Sequence, residues 1–235
     1  DTLISSNVRK YVKINFPSYK IKNYKIKYKK TKFLVLISSN KKNNHKNDLY
    51  KARLNFINWA EKNNYHKFDF YGYGWNNYIF NGPKIIRILN KIKLIKKFFA
   101  PKFKNYNGEY FGLKKTILKK YKFSICFENS KNYKGWVTEK IFHCFFSGCV
   151  PIYYGASNIS KIIPDECYID YRKYKNNIDL INDLENMSEI RYLNYINNIN
   201  KYLNGNQFKM FGIEYFVNTI IKEIRNDLIT TKHRL

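Results

Sequence analysis

Two short apolar runs, residues 123–127 and 149–154, constrain this chain more than any other feature. Between them lie a polar, glycine-containing loop and a helical pattern that opens at Thr138. Strand, loop, helix and strand in that order make the unit of a parallel α/β sheet, because parallel neighbours need a long crossover. Ligands of such sheets bind where strands end and helices begin. The polar residues crowd at that end: Glu128, Asn129 and Ser130 follow the first run, and Thr138, Glu139 and Lys140 open the helix. Thr138 is a good N-cap, and Glu139 falls in the first turn, where the helix dipole favours an acid. Lys140 stands beside the same terminus, a common place to hold a phosphate. Taken alone, Thr-Glu-Lys is also ordinary helix-start chemistry.

The flanking sequence extends the pattern. Residues 33–37 form a continuous apolar run, as in a strand buried on both faces, and end in Ser38-Ser39-Asn40. Residues 48–62 carry Leu49, Ala52, Phe56, Trp59 and Ala60 as a helical stripe, with Arg53 inside it. A short strand at 68–71 runs into Gly72-Tyr73-Gly74, a weak phosphate-loop signal that lacks the third glycine of a dinucleotide fingerprint. Residues 84–104, rich in Ile and Lys, read as a helix inserted into the domain and packing on it; the competing reading is a basic amphipathic helix on a membrane or an acidic partner. A short helix is expected at 109–121, a last strand at Tyr168-Ile169, and helices from 177 to 224 broken at Gly205 and Gly212. The expected organisation is a linker or domain remnant at 1–32, a Rossmann-like domain with a parallel sheet and flanking helices at 33–175, and helices at 176–235 that pack on it.

Charge narrows the ligand. Against 17 acidic residues stand 44 Lys and Arg, a net +27. Such a field favours nucleic acid, an anionic surface or a smaller anion. The abundance of Lys, Asn, Ile, Tyr and Phe, all with AT-rich codons, is a duller source of the same charge. Four cysteines, none in C-x-x-C, read as free thiols in a reducing compartment, hence a cytoplasmic protein. No run approaches the roughly 20 apolar residues of a membrane span, and the first residues do not form a signal peptide. A chain that begins at Asp1 reads as cut from something longer.

Three separated motifs agree with one family in order and spacing: Phe127-Glu128-Asn129-Ser130, then Val137-Thr138-Glu139-Lys140-Ile141, then Gly148-Cys149-Val150-Pro151-Ile152-Tyr153-Tyr154-Gly155. The chain resembles the family 10 α1,3-fucosyltransferases, densely over 121–164, loosely over 33–74 and weakly beyond 170. The resemblance implies the C-terminal, donor-binding half of a GT-B glycosyltransferase. It implies metal-independent transfer of L-fucose from GDP-fucose to a hydroxyl of a glycan acceptor, in an α1,3-type linkage and with inversion. It places Arg53 and Lys140 on the diphosphate and Asn129 and Glu139 on ribose or fucose hydroxyls. Ser130, Trp136 and Thr138 complete the donor site, and Glu139, Lys140 and Arg53 are the catalytic candidates. No cofactor is expected beside the donor.

The residues bear on the metal question too. No D-x-D, H-E-x-x-H or Cys/His ligand spacing occurs, so charge on a leaving diphosphate falls to cations and helix dipoles. Two departures from the family pattern stand out. Trp136 occupies a position usually held by Tyr, which removes a hydroxyl. The domain that binds the acceptor and supplies a carboxylate base precedes Ser38 in the relatives, where this chain has only 37 residues. No general base is assigned. Expected partners are GDP-fucose, a glycan acceptor, and a membrane surface or an N-terminal domain outside this chain; nucleic acid is not expected. The alternatives are a non-catalytic basic module that binds nucleic acid or membrane, and a GT-B transferase with another nucleotide-sugar.

Overall fold

The computed structural model describes residues 19–232 apart from 21, 23, 25–28, 42, 44, 79, 81 and 82. The strands Lys32–Ile37 (β1), Phe68–Tyr71 (β2), Tyr121–Phe127 (β3), Val150–Tyr154 (β4) and Ile169–Asp170 (β5) form one sheet, ordered β2-β1-β3-β4-β5, with every neighbouring pair parallel. The fold class is therefore α/β, as the alternation of short apolar runs and helical stripes requires. β1 and β3 lie inside the sheet, which explains their unbroken hydrophobicity: Leu34, Val35 and Phe123 are all buried.

The sheet order fixes where a ligand crevice can form. From β1 the chain moves outward through helix Tyr50–Lys62 (α1) to β2. From β3 it moves the other way through helix Glu139–Phe146 (α5) to β4. Right-handed crossovers in opposite directions put α1 and α5 on opposite faces. Phe56 of α1 meets Phe68 at 5.1 Å on the first face, and Cys144 of α5 reaches Cys126 and Ser124 on the second. The point of reversal, between the carboxyl ends of β1 and β3, is where open α/β sheets bind ligands.

Several expected elements are redrawn. Helix α1 starts at Tyr50 because the Asp48 carboxylate accepts the N–H groups of Tyr50 and Lys51, at 2.9 and 3.4 Å. The helix expected at 109–121 is only Lys114–Leu118 (α4), and Tyr121 already belongs to β3. The stretch 84–104 is not one packed helix. It forms Lys84–Ile88 (α2), a 3-10 turn, and Lys93–Phe98 (α3), broken where Ile92 is extended (φ −97°, ψ 103°), and none of these residues is buried. Its helical periodicity therefore reflects no core-facing side.

Beyond β5 follow Asn177–Glu185 (α6), Glu189–Asn204 (α7), Asn206–Lys209 (α8) and Ile213–Lys232 (α9), with breaks at Gly205 and Gly212. Leu180 and Leu184 of α6 and Ile196, Ile199 and Leu203 of α7 join the core. Most of the expected linker at 1–32 lies outside the described residues; Tyr19 inserts against Phe142, Phe146 and Phe208 at 5.3, 5.0 and 6.1 Å between ring centroids. All four cysteines are buried and unpaired. Among the described residues no helix is long and apolar enough to cross a membrane.

Candidate functional site

Backbone hydrogen bonds draw the loops at the carboxyl end of the sheet together. Leu49 donates to the Asn129 carbonyl (3.0 Å), Lys131 to that of Asn47 (2.8 Å) and Asn132 to that of Gly155 (3.1 Å). The loops after β1, β3 and β4 thus form one surface. Gly72, with φ +146°, closes the far side: a Cβ there would meet the Ser38 carbonyl oxygen at 2.0 Å. Only glycine permits that approach, which gives the Gly72-Tyr73-Gly74 turn a backbone reason.

Arg53 sits at the point of reversal and is only 4% exposed. Its Nη2 donates to the Phe127 and Glu128 carbonyls (2.8 and 2.6 Å) and to Asn129 Oδ1 (3.1 Å); its Nη1 donates to Ser38 Oγ (3.1 Å). Tyr50 lies beneath the guanidinium at 4.9 Å. Burial lowers the Arg53 pKa against the opposing pull of Tyr50 and Glu128, and a guanidinium stays charged regardless. Arg53 therefore fastens the end of β3 to the end of β1, with Asn129 as part of the same clasp. It also lines a cavity of about 210 Å³ with Lys41, Asn43, Tyr50, Lys51 and Trp75.

A second network fixes the start of α5. Glu128 is fully buried; its carboxylate accepts from the Thr138 N–H (2.9 Å), the Thr138 hydroxyl (2.7 Å) and the Lys140 ammonium (3.0 Å). The ammonium also donates to Thr138 Oγ1 (3.2 Å), which caps α5 by accepting the Lys140 N–H (3.5 Å). Lysine carries three donors, so one remains for a ligand. Gly155 makes room for this network, since a Cβ there would meet Glu128 Cγ at 2.5 Å and the Tyr153 hydroxyl at 2.6 Å.

Glu139 is paired with Lys114 at 3.8 Å. Burial raises its carboxyl pKa, but Lys140, its own backbone amide, Lys114 and His143 outweigh burial and hold it below the usual range. His143 is kept below its ordinary value by burial and by Lys114, and its Nδ1 is buried without a partner. Ser130 is half-buried and bridges to Asp48, while Trp136 is 52% exposed. The structure thus sets Arg53 against Asn129 and Lys140 against Thr138, and Glu128 joins the two pairs, its carbonyl accepting from Arg53 and its carboxylate from Thr138 and Lys140. Glu139, Ser130 and Trp136 form no hydrogen bond with Arg53 or with the Lys140 ammonium. Sequence reasoning assigned no role to Glu128. An acid placed directly after a continuous apolar run was the available signal, because a carboxylate there is buried and needs partners. Among the described residues no three His, Cys, Asp or Glu side chains converge as a metal site.

Residues 27–212 match the profile of glycosyltransferase family 10 (fucosyltransferase), C-terminal part. The chain belongs to this family. An α-(1,3)-fucosyltransferase of Helicobacter pylori is 40% identical over 63 residues, 27% of this chain and 13% of the enzyme. An α-(1,4)-fucosyltransferase of Arabidopsis thaliana is 36% identical over 70 residues, 30% of this chain and 17% of the enzyme. A crystal structure of an α1,3-fucosyltransferase with GDP superposes with a TM-score of 0.53 at 20% identity, covering 84% of this chain and 48% of that one. The chain thus spans less than half of the relatives it matches. Its parallel sheet with flanking helices is the α/β fold it shares with that structure, and the Glu128 and Arg53 networks are how this member of the family builds the carboxyl edge of the sheet.

Proposed function

We propose that this chain binds GDP-fucose at the crevice between β1 and β3 and forms the donor half of a fucosyltransferase. The transfer passes L-fucose to a hydroxyl of a glycan acceptor, in an α1,3-type linkage, with inversion at the sugar carbon. One observation carries the reading: Lys140 is braced by Glu128 and Thr138 at the N-terminus of α5, with one ammonium N–H left over, in a member of the fucosyltransferase family. That N–H and the helix terminus suit the diphosphate, whose charge grows as the bond to fucose breaks. Arg53 holds the crevice together and offers its remaining N–H groups to the same oxygens, and Lys41 and Lys51 add positive charge along the adjoining cavity. In this reading Asn129 and Glu139 hold ribose or fucose hydroxyls, and Ser130, Thr138 and Trp136 complete the donor site. The donor supplies the chemistry without a further cofactor. The acceptor and the base come from an N-terminal domain or partner chain. Four buried thiols support a reducing, cytoplasmic compartment.

Calorimetric titration with GDP-fucose, GDP-mannose, UDP-galactose and a short oligonucleotide tests this reading. The expected order has GDP-fucose tightest. Heat from the oligonucleotide alone would replace the transferase reading with the basic module, and preference for another sugar nucleotide would change the donor.

A further inference from the structure

Between the end of β2 and the strand-like return at residues 105–107, the chain makes an excursion that is anchored in the core by Trp75 and whose described residues from 76 to 104 are not buried. Its base is tied: Phe70 donates to the Asn105 carbonyl and Asn107 to that of Phe70, both at 2.9 Å. Its interior is clamped by polar contacts. Asn90 accepts from the Phe80 N–H and donates to the Phe80 carbonyl, both at 2.9 Å, and Tyr78 donates to the Lys96 carbonyl at 2.9 Å. Phe80 and Phe99 pack edge to face at 5.6 Å. Several apolar side chains of the stretch are nonetheless exposed. Ile85, Leu94 and Phe98 are 81%, 80% and 81% exposed, and Ile88, Ile92 and Phe99 are 54%, 43% and 55% exposed. Among them stand Lys84, Arg87, Lys91, Lys93, Lys96 and Lys97, and no Asp or Glu occurs between Asp69 and Glu109.

We propose that this excursion is a docking surface for an anionic lipid membrane, with the side chains of α2 and α3 inserted at the headgroup boundary. The interface between headgroups and acyl chains rewards this combination: aliphatic and aromatic side chains leave water while flanking cations meet lipid phosphates. A second copy of the chain would set the same six cations against themselves. A nucleic acid would satisfy the cations and leave the exposed Ile, Leu and Phe side chains in water. Because the excursion leaves β2 at its carboxyl end, the contact would hold the crevice near the lipid surface. The proposal does not depend on the fucosyl-transfer reading.

The test is sedimentation of the full 235-residue chain with phosphatidylcholine vesicles, with and without phosphatidylglycerol. The chain should bind the anionic vesicles and release at high salt. General attraction by the +27 charge is separated by Ile85→Ser/Leu94→Ser/Phe98→Ser, which leaves that charge unchanged. This variant should partition at least about tenfold more weakly, since three apolar side chains no longer leave water. An equal change on α9, Ile224→Ser/Leu228→Ser/Ile229→Ser, should leave binding intact. In a second measurement, the emission of Phe98→Trp should shift to the blue on anionic vesicles only. Wild-type binding by the triple variant, equal loss in the α9 variant, or an unshifted Phe98→Trp would overturn the proposal. So would finding that the triple variant only converts an oligomer to a monomer, which would make the surface a protein interface.

Discussion

The Lys140 ammonium lies 3.0 Å from the Glu128 carboxylate, and the two partners are unequally placed: Glu128 has no solvent exposure, while the Lys140 side chain is 22% exposed. Loss of either partner therefore has different consequences. Lys140→Ala strands a buried carboxylate on its two Thr138 contacts, a change on the order of 3 kcal/mol. Glu128→Gln releases an ammonium that can reach water and keeps an oxygen for Thr138, at about 1–2 kcal/mol. Urea denaturation of both variants should give that order; the reverse order would make Lys140 the buried partner. Lys140→Ala should also weaken GDP-fucose binding by about 1.5–3 kcal/mol, the scale of a charged hydrogen bond. Unchanged binding in the folded variant would remove Lys140 from the donor site.

Arg53 donates to four acceptors on the ends of β1 and β3, two of them main-chain carbonyls. Lysine has the charge but not the fork. Arg53→Lys should lower stability by about 2–3 kcal/mol through unsatisfied buried acceptors, in addition to any loss of donor affinity. A variant with full thermal stability and reduced GDP-fucose affinity would mean that the guanidinium serves the phosphates and not the clasp.

At Gly155 the backbone conformation is not the constraint; space is. An added Cβ would meet Glu128 Cβ at 2.9 Å and Cγ at 2.5 Å. Gly155→Ala should destabilise by about 1–3 kcal/mol, as overpacking does, and should displace the carboxylate that braces Lys140. Donor affinity and melting temperature should fall together; a loss of melting temperature alone would uncouple the brace from the site.

Much of this arrangement was legible in the residues, for identifiable reasons. β1, β3 and β4 announced themselves because interior parallel strands are covered on both faces and leave no polar alternation. Thr138 was readable as a cap because capping is local. The brace on Lys140 was not, because Glu128 reaches Thr138 and Lys140 across a loop whose path only the tertiary structure fixes. Arg53 looked like a ligand residue in sequence, and its burial against the ends of two strands is equally a long-range fact. Residues 84–104 misled for the opposite reason: periodicity reports which side chains share a helical face, and here no core waits on that face.

Acid sensitivity should centre on Asp69, which accepts from Lys32 (2.7 Å), Tyr121 (2.5 Å) and Asn107 (2.8 Å) across β1, β2, β3 and the returning edge. Burial raises its pKa, but the Lys32, Tyr121 and Asn107 hydrogen bonds outweigh burial and hold it below 3.8. A carboxyl depressed in the folded state contributes stability above its unfolded pKa and loses it as pH falls through the folded value. The urea midpoint should therefore drop below about pH 4. Asp69→Asn should lower the unfolding free energy at neutral pH by no more than about 1 kcal/mol, since Lys32 is well exposed, and should flatten the acid limb. An identical acid limb in the variant would assign the sensitivity to other carboxyls.

Catalysis requires a base within hydrogen-bond reach of the acceptor hydroxyl, and the carboxylates at this crevice are already engaged. Glu128 is buried under Thr138 and Lys140. Asp48 accepts the N–H groups that start α1. Glu139 pairs with Lys114, and its lowered pKa makes it a weaker base than an ordinary glutamate. Donor binding and acceptor activation should therefore separate in an assay. The 235 residues alone should bind GDP-fucose yet transfer it slowly, and a further domain or partner chain that supplies a carboxylate should restore the rate. Orientation and general-base effects together span many powers of ten, so the deficit should be plain. A transfer assay with radiolabelled GDP-fucose and an acceptor panel including N-acetyllactosamine measures it. Turnover near or above about one per second, an ordinary enzyme rate, would mean that one of these three carboxylates is freed when the acceptor binds. Glu139→Gln would then be the first variant to measure, because Glu139 is the only one of the three whose partner is an exposed, loosely held lysine.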